Sequence, residues 1–216
     1  MNRGMFIAFE GIDGCGKTTQ IKKFVQYLFD RDKHNHIVFT RNPYLDTNIR
    51  GILREDDNAL SQAERLAELF IADRKKHSEE VVLPALAKGQ FVVSDRFKLS
   101  TITYQAAQGI DIQKLINRHF GVPVPSITFV VDVCAGEAAR RMALEGKRNE
   151  HKFEKDLVFL ESVRQNYFKA KELLPMEKIF IVNGERSVEA VFNEVREIFE
   201  REFGKTPATG FEPVLL

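Results

Sequence analysis

An apolar run that begins at Phe6 stops at Glu10, and the chain continues Gly-Ile-Asp-Gly-Cys-Gly-Lys-Thr-Thr-Gln to Gln20. Gly11, Gly16, Lys17 and Thr18 complete the pattern G-x-x-x-x-G-K-[ST], with Gly14 as a third glycine between them. An amphipathic run follows at once, because Ile21, Phe24, Val25, Leu28 and Phe29 fall at i, i+3, i+4, i+7 and i+8. Strand, glycine loop and helix in that order are the setting in which this pattern builds a phosphate-binding loop. The glycines let successive backbone N–H groups turn inward as an anion nest, and the helix behind them adds the positive end of its dipole. Lys17 is then the expected partner of the β- and γ-phosphates, and Thr18 the expected hydroxyl on Mg2+. A chain built on this stretch is expected to bind a nucleoside triphosphate.

Further short apolar runs, Ile37 to Thr40, Phe91 to Asp95, Ile127 to Asp132 and Ile179 to Val182, read as buried strands. The stretches between them are helical in period and far too long for hairpins. Five such strands imply a parallel sheet with helices on both faces, a three-layer α/β domain of P-loop NTPase type. With 216 residues in all, residues 1–205 suit one domain, and 206–216, with Pro207, Gly210 and Pro213, read as a tail without period. Arg41 to Asn58 reads as a long polar loop with a helical turn at Ile49 to Leu53. Ser61-Gln-Ala-Glu64 reads as a capping box opening a long helix to about Ala87, with Pro84 as a kink or early end. Residues 142–155, rich in Lys147, Arg148, Lys152 and Lys155, read either as a solvated bend or as a lid.

A formal net charge of +1 gives no field to recruit a long polyanion, and no basic patch with interleaved aromatics is evident, so no nucleic-acid partner is expected. Two cysteines without CxxC spacing fit neither a disulfide framework nor a zinc site, and suit a reducing cytoplasmic compartment. The opening residues lack the apolar core of a signal peptide, and nowhere do eighteen apolar residues run together, so no membrane partner is expected. His77, His119 and His151 show no metal spacing.

The remaining candidates are charged or aromatic groups at strand ends and on the long helix. Asp13, inside the loop, is expected either to accept a sugar hydroxyl of a phosphoryl acceptor or to cap the loop's own backbone. No basic residue lies between Gly11 and Gly16, so the loop supplies only Lys17 to a transferring phosphoryl group. Such a transition state needs more positive charge, for which Arg148, helped by Lys147 or Lys152, is the candidate. Arg41, Arg74 and Arg96 suit a clamp on a second phosphate, since the guanidinium fork matches phosphate oxygens. Phe70, one turn before Arg74, reads as a base-stacking ring or as core. Asp95 reads as a Mg2+ group, as a residue acting on the acceptor phosphate through Arg96, or as one half of a surface ion pair. Cys15 is expected to pack or face solvent without acting as a nucleophile.

Taken in order, the loop sequence from Phe9 to Gln20, Thr40-Arg41-x-Pro43, Leu69-Phe-x-Ala-x-Arg74, Ser94-Asp-Arg-Phe97, Ser100 to Gln105 and Phe153-Glu154 resemble the thymidylate kinases. The likeness runs from about Phe6 to Phe203. It implies transfer of the γ-phosphoryl group of ATP to dTMP with Mg2+, giving dTDP and ADP, in a homodimer. It implies that the loop holds ATP through Gly11, Ile12, Asp13, Gly14 and Cys15, then Gly16, Lys17, Thr18 and Thr19, with Arg141 stacking on adenine. Carried over in the same way, Asp13 binds the acceptor sugar, Phe70 stacks on thymine, Arg74 touches base or phosphate, and Arg96 bridges both phosphates. Thr101 and Gln105 are near base-reading positions, and Tyr104 is near the position that senses a missing 2′-hydroxyl. Lys17, Arg96 and Arg148 form the implied catalytic set, Arg41 joins the acceptor site, and Thr18 with Asp95 hold the metal. A loop without a basic residue beside an arginine-bearing lid is similar to the bacterial type of the family.

Four positions depart from the family pattern. Thr-Arg-Glu-Pro becomes Thr40-Arg41-Asn42-Pro43, followed by Tyr44-Leu45 in place of a common Gly-Gly, and the third residue of Asp-Arg-Tyr is Phe97. Asn42 cannot act as a carboxylate, and Phe97 lacks a hydroxyl. These changes leave open a kinase for another nucleoside monophosphate or a deoxynucleoside, or a nucleotide-binding paralogue with impaired turnover.

Overall fold

A computed structural model describes residues 4–56, 58–144 and 156–204. Residues 145–155 of the expected lid, with Arg148, Lys147, Lys152 and His151, and the tail 206–216 lie outside the described residues. In chain order the elements are β1 (Met5–Glu10), α1 (Lys17–Arg31), β2 (Ile37–Arg41), α2 (Thr47–Glu55), α3 (Ala63–His77), α4 (Leu83–Ala87), β3 (Phe91–Asp95), α5 (Lys98–Ala107), α6 (Ile112–Arg118), β4 (Ile127–Asp132), α7 (Ala135–Leu144), α8 (Leu157–Leu173), β5 (Ile179–Asn183) and α9 (Val188–Phe203).

The strands pair in parallel in the order β2-β3-β1-β4-β5, with Ile7 opposite Val93 on one side and Ile127 on the other. β1 is buried along its whole length, which is why it reads as an unbroken apolar run and not as an alternation. Its side chains still alternate between faces. Met5, Ile7 and Phe9 pack with Phe24 of α1 and Phe199 of α9, whereas Phe6 and Ala8 join Val82, Val92 and Phe97 on the other side. Phe24 anchors the first layer, with its ring edge-on to Phe9 at 5.5 Å and to Phe199 at 5.1 Å. On the opposite face α5, α7 and α8 bring Leu99, Ile102, Ala138, Leu160 and Val163 together.

Because β1 is central, the chain leaves it for one side of the sheet and crosses to the other only after β3. The carboxyl ends of β1 and β3 therefore lie side by side where the strand order reverses, the place where open α/β sheets hold ligands. The glycine loop follows one strand and Arg96 the other.

Three local expectations need correction. The segment after β2 is a full helix, α2, because Asp46 caps it by accepting the N–H groups of Asn48 at 2.7 Å and Ile49 at 3.1 Å. Ser61 does not cap α3; its hydroxyl turns back to Asp56 and to the Asn58 carbonyl, and α3 starts at Ala63 after a left-handed Gln62. The helix running toward Pro84 widens into a π turn over Ser78–Val82. That turn absorbs the missing N–H of Pro84 and its ring's conflict with a carbonyl four residues earlier, so the chain continues into α4 without a break.

Phe24 is fully buried between two other rings, so Phe24→Ala should cost about 3–5 kcal/mol of unfolding free energy. Urea unfolding of the two proteins side by side measures this, and a loss under about 1 kcal/mol would contradict the packing described.

Candidate active site

The glycine loop takes its shape from close backbone approaches. Gly11 has φ of 134°, and a Cβ there would stand 2.5 Å from the Val131 carbonyl oxygen; Gly14 has φ of 78°, and its Cβ would stand 2.4 Å from that of Ala138. Any larger residue would push the loop off β4 and α7. α1 begins directly behind it, with Gly16 as a cap that has no side chain to occupy the free N–H groups. Lys17 folds back over the loop, its Nζ donating to the carbonyls of Gly11 at 3.0 Å and Ile12 at 2.8 Å. Cys15 is buried, with Sγ 3.6 Å from Lys17 Nζ, which settles it as a packed residue.

The second wall is built from the β3–α5 junction. Arg96 sits in the left-handed region at φ 68°. Its Nη2 donates to Asp13 Oδ1 at 2.7 Å and its Nη1 to Ser100 Oγ at 2.8 Å, while its guanidinium lies 5.2 Å from the centre of the Tyr104 ring. Tyr104 in turn donates to Asp13 Oδ2 at 3.2 Å. Burial alone would raise the Asp13 pKa, but the charges of Arg96 and Lys17 outweigh it and hold the carboxyl well below the usual carboxylate range. Among the described residues the side chain of Asp13 accepts from Arg96 and Tyr104 and does not cap the loop backbone. Asp95 pairs with Arg41, not with its neighbour Arg96: Arg41 Nε and Nη2 donate to Asp95 Oδ2 at 3.1 and 2.8 Å.

α3 supplies the far end of the cleft. Arg74 is buried; Nη1 donates to Thr101 Oγ1 at 2.7 Å and to His119 Nε2 at 3.3 Å, and the guanidinium lies over the Phe97 ring at 5.5 Å. Its Nε finds no hydrogen-bond partner among the described residues. Desolvation lowers the Arg74 pKa to about 10, against the opposing charges of Glu10 and Asp73, so it remains cationic at neutral pH. The neighbouring histidines are neutral. His119 Nδ1–H donates to the Leu115 carbonyl at 2.8 Å, which leaves Nε2 as the acceptor for Arg74. Burial and then the Arg74 charge depress the pKa of His119 to about 3 and that of His77 to about 4.

These walls enclose a cleft of ≈ 530 Å³. Asp13, Gly14, Lys17 and Thr18 line one end, and Arg41, Phe70, Arg74, Asp95, Arg96, Thr101 and Tyr104 line the remainder. Arg141 stands outside the cleft beside Gly16, its Nη1 3.9 Å from where a Cβ on Gly16 would lie, tied to Glu137 and to the Gly184 carbonyl. Gln105 is not on the cleft wall: it is fully buried, with Nε2 donating to Gln108. α2 adds Arg50, Leu53 and Arg54, which the sequence reading missed. Asp46 followed by Ile49, Ile52 and Leu53 was the available signal, masked by the polar run around it. Thr18 and Asp95 line the same cavity, and Mg2+ commonly binds one or two protein oxygens together with substrate phosphates, so this hydroxyl–carboxylate pair fits the metal.

A family model described as thymidylate kinase matches residues 9–195. The chain belongs to the thymidylate kinase family. The probable thymidylate kinase of Pyrococcus horikoshii is 35% identical over 206 residues, spanning 93% of this chain and 98% of that one. The thymidylate kinase of Thermosipho africanus is 36% identical over 205 residues, spanning 91% and 98%. A crystal structure of thymidylate kinase from Ehrlichia chaffeensis matches with a TM-score of 0.70 at 28% identity, over 92% of this chain and 99% of that one. Of the departures from the thymidylate kinase pattern, Asn42 and Phe97 are buried here, whereas Leu45 is exposed. Asn42 donates from Nδ2 to the Arg96 carbonyl at 3.2 Å, a bond that a carboxylate at this position has no hydrogen to make. Phe97 packs edge-on to Phe6 at 4.8 Å beneath Arg74.

The neutral histidines set a pH dependence. Their folded pKa values lie below the usual 6.5, so the stability they permit is complete above about pH 6.5 and declines below it as the unfolded chain takes up protons. Each contributes a slope of about 1.4 kcal/mol per pH unit at most. His119→Gln, which can keep an acceptor toward Arg74, should flatten the fall in unfolding free energy between pH 6.5 and 4. Denaturant titrations at several pH values measure it, and an unchanged slope would show that His119 is not buried neutral.

Proposed function

We propose that the chain transfers the γ-phosphoryl group of ATP to dTMP, giving dTDP and ADP. The observation that carries the proposal is one cleft lined by Asp13, Gly14, Lys17 and Thr18 of the glycine loop together with Arg41, Phe70, Arg74 and Arg96, in a chain of this family. ATP lies with its triphosphate in the loop between Gly11 and Thr19 and its adenine toward Arg141. dTMP lies with its base on Phe70 beside Arg74 and Thr101, its sugar at Asp13 and Tyr104, and its phosphate toward Arg41 and Arg96. The unpartnered Nε of buried Arg74 supports this, since such a donor is satisfied by an acceptor on the base.

Phosphoryl transfer asks little covalent chemistry of the protein, so the side chains act by position and charge. Lys17 holds the donor phosphates, Arg96 stands between donor and acceptor, and Arg148, by the family likeness, supplies a further cation. Thr18 and Asp95 are the residues that would hold Mg2+, which would neutralise part of the phosphate charge. Asp13 keeps Arg96 aimed at the gap. The family likeness further supports a homodimer acting in the cytoplasm.

An acceptor panel with coupled ADP detection tests the proposal. dTMP should be preferred over dUMP, dCMP and thymidine, and preference for another acceptor would overturn it. Lys17→Ala should lower kcat by about 100-fold or more while the melting temperature stays within a few degrees. Arg148→Ala should lower kcat by about 10–100-fold and leave the KM for dTMP within about threefold; equal losses in both would remove Arg148 from the transition state.

A further inference from the structure

β1 ends in a carboxylate that neither the phosphate loop nor the acceptor clamp uses. Glu10 is fully buried, and both its oxygens are engaged. Oε1 accepts the backbone N–H groups of Phe97 at 2.8 Å and Ser100 at 3.2 Å; Oε2 accepts the hydroxyls of Ser100 at 2.5 Å and Tyr167 at 3.2 Å. One N–H belongs to Phe97, the cap residue of α5, which makes no side-chain capping bond, and the other to Ser100 in the first turn of that helix. A carboxylate from the adjoining strand thus caps a helix that cannot cap itself, at the end where the helix dipole favours negative charge.

Ser100 carries this arrangement to the cleft. Burial raises the Glu10 pKa, opposed by the Ser100 hydrogen bond, the Arg96 charge and the Phe97 N–H. The four donors around its two oxygens suit the carboxylate, to which the single Ser100 hydroxyl hydrogen then goes at Oε2. The Ser100 oxygen then accepts from Arg96 Nη1 at 2.8 Å, while Asp13 holds Nη2 at 2.7 Å. We propose that Glu10 is a positioning residue for phosphoryl transfer: by capping α5 and fixing the direction of the Ser100 hydroxyl, it holds the Arg96 guanidinium on the cleft wall. An amide at position 10 can instead donate to the Ser100 oxygen and compete with Arg96 for it. This inference rests on the reading of Arg96 as the cation between the two substrates.

Steady-state kinetics and melting temperatures of Glu10→Gln, Ser100→Ala, the double variant and Arg96→Ala test it. Each of the first two should lower kcat by about tenfold or more while both KM values stay within about threefold. The double variant should fall no further than the worse single, because both changes break the same chain of bonds. Ser100→Ala leaves the cap intact, so its melting temperature should stay within a few degrees of the parent. Losses that multiply in the double variant, or a kcat for Ser100→Ala within twofold of the parent, overturn the proposal. Should Glu10→Gln not fold, the Ser100→Ala threshold decides alone. Full activity in Arg96→Ala would remove the role of Arg96 itself, whereas a crippled Arg96→Ala beside unimpaired Glu10 and Ser100 variants removes only the relay.

Discussion

Lys17, Arg41, Arg74 and Arg96 are four of the six cationic side chains that line one cleft, and like charges this close resist being assembled in a low-dielectric crevice. Each of these four is held by groups of opposite character. Loop carbonyls hold Lys17, Asp95 holds Arg41, Asp13 holds Arg96, and Arg74 rests on the Phe97 ring with the neutral His119 as acceptor. The rest of the fold follows from this requirement. The carboxylates come from the end of β3 and from the loop that follows β1, so the sheet must bring those strand ends together. The order β2-β3-β1-β4-β5 does so. Preorganised charge is also what phosphoryl transfer uses, since fixed dipoles and cations need no rearrangement when charge develops.

How far the sequence disclosed this depends on whether a signal was local. The strands were legible because a buried parallel strand is a continuous apolar run: Phe91 to Asp95 and Ile127 to Asp132 match β3 and β4 to the residue, and β2 and β5 run one polar residue longer, to Arg41 and Asn183. The phosphate loop was legible because its motif is contiguous. α2 was not, because the segment entering it is held by a residue far along the chain. Asp73, on α3, accepts the N–H groups of Tyr44 at 2.6 Å, Leu45 at 3.0 Å and Asp46 at 3.1 Å, and no local pattern announces that.

The pairing of the ions was hidden for a related reason. Asp95 and Arg96 are neighbours in sequence, yet Asp95 ends β3 in extended backbone and Arg96 turns to φ 68°, so each finds its partner on a different element. Gln105 illustrates the converse limit. It lies one turn past Thr101 on α5, a residue that lines the cleft, yet its side chain is fully buried with Nε2 donating to Gln108, and helical spacing alone does not announce that.

Asn42 makes sense in the same terms. A residue held in the left-handed region costs on the order of 1–3 kcal/mol unless its surroundings fix it there. The Arg96 peptide is fixed on both sides: its N–H donates to the Phe9 carbonyl at 2.8 Å, and its carbonyl accepts from Ser94 Oγ at 2.7 Å and Asn42 Nδ2 at 3.2 Å. Asn42 Nδ2 also approaches His77 Nδ1 at 3.2 Å, leaving the other ring nitrogen to donate to Thr40 Oγ1 at 2.7 Å. An amide and a neutral imidazole therefore sit behind the arginines where the family pattern has a carboxylate. The exchange gives up a negative charge and gains a hydrogen for the Arg96 carbonyl, so the backbone that aims the central cation is held by a donor instead of by a field.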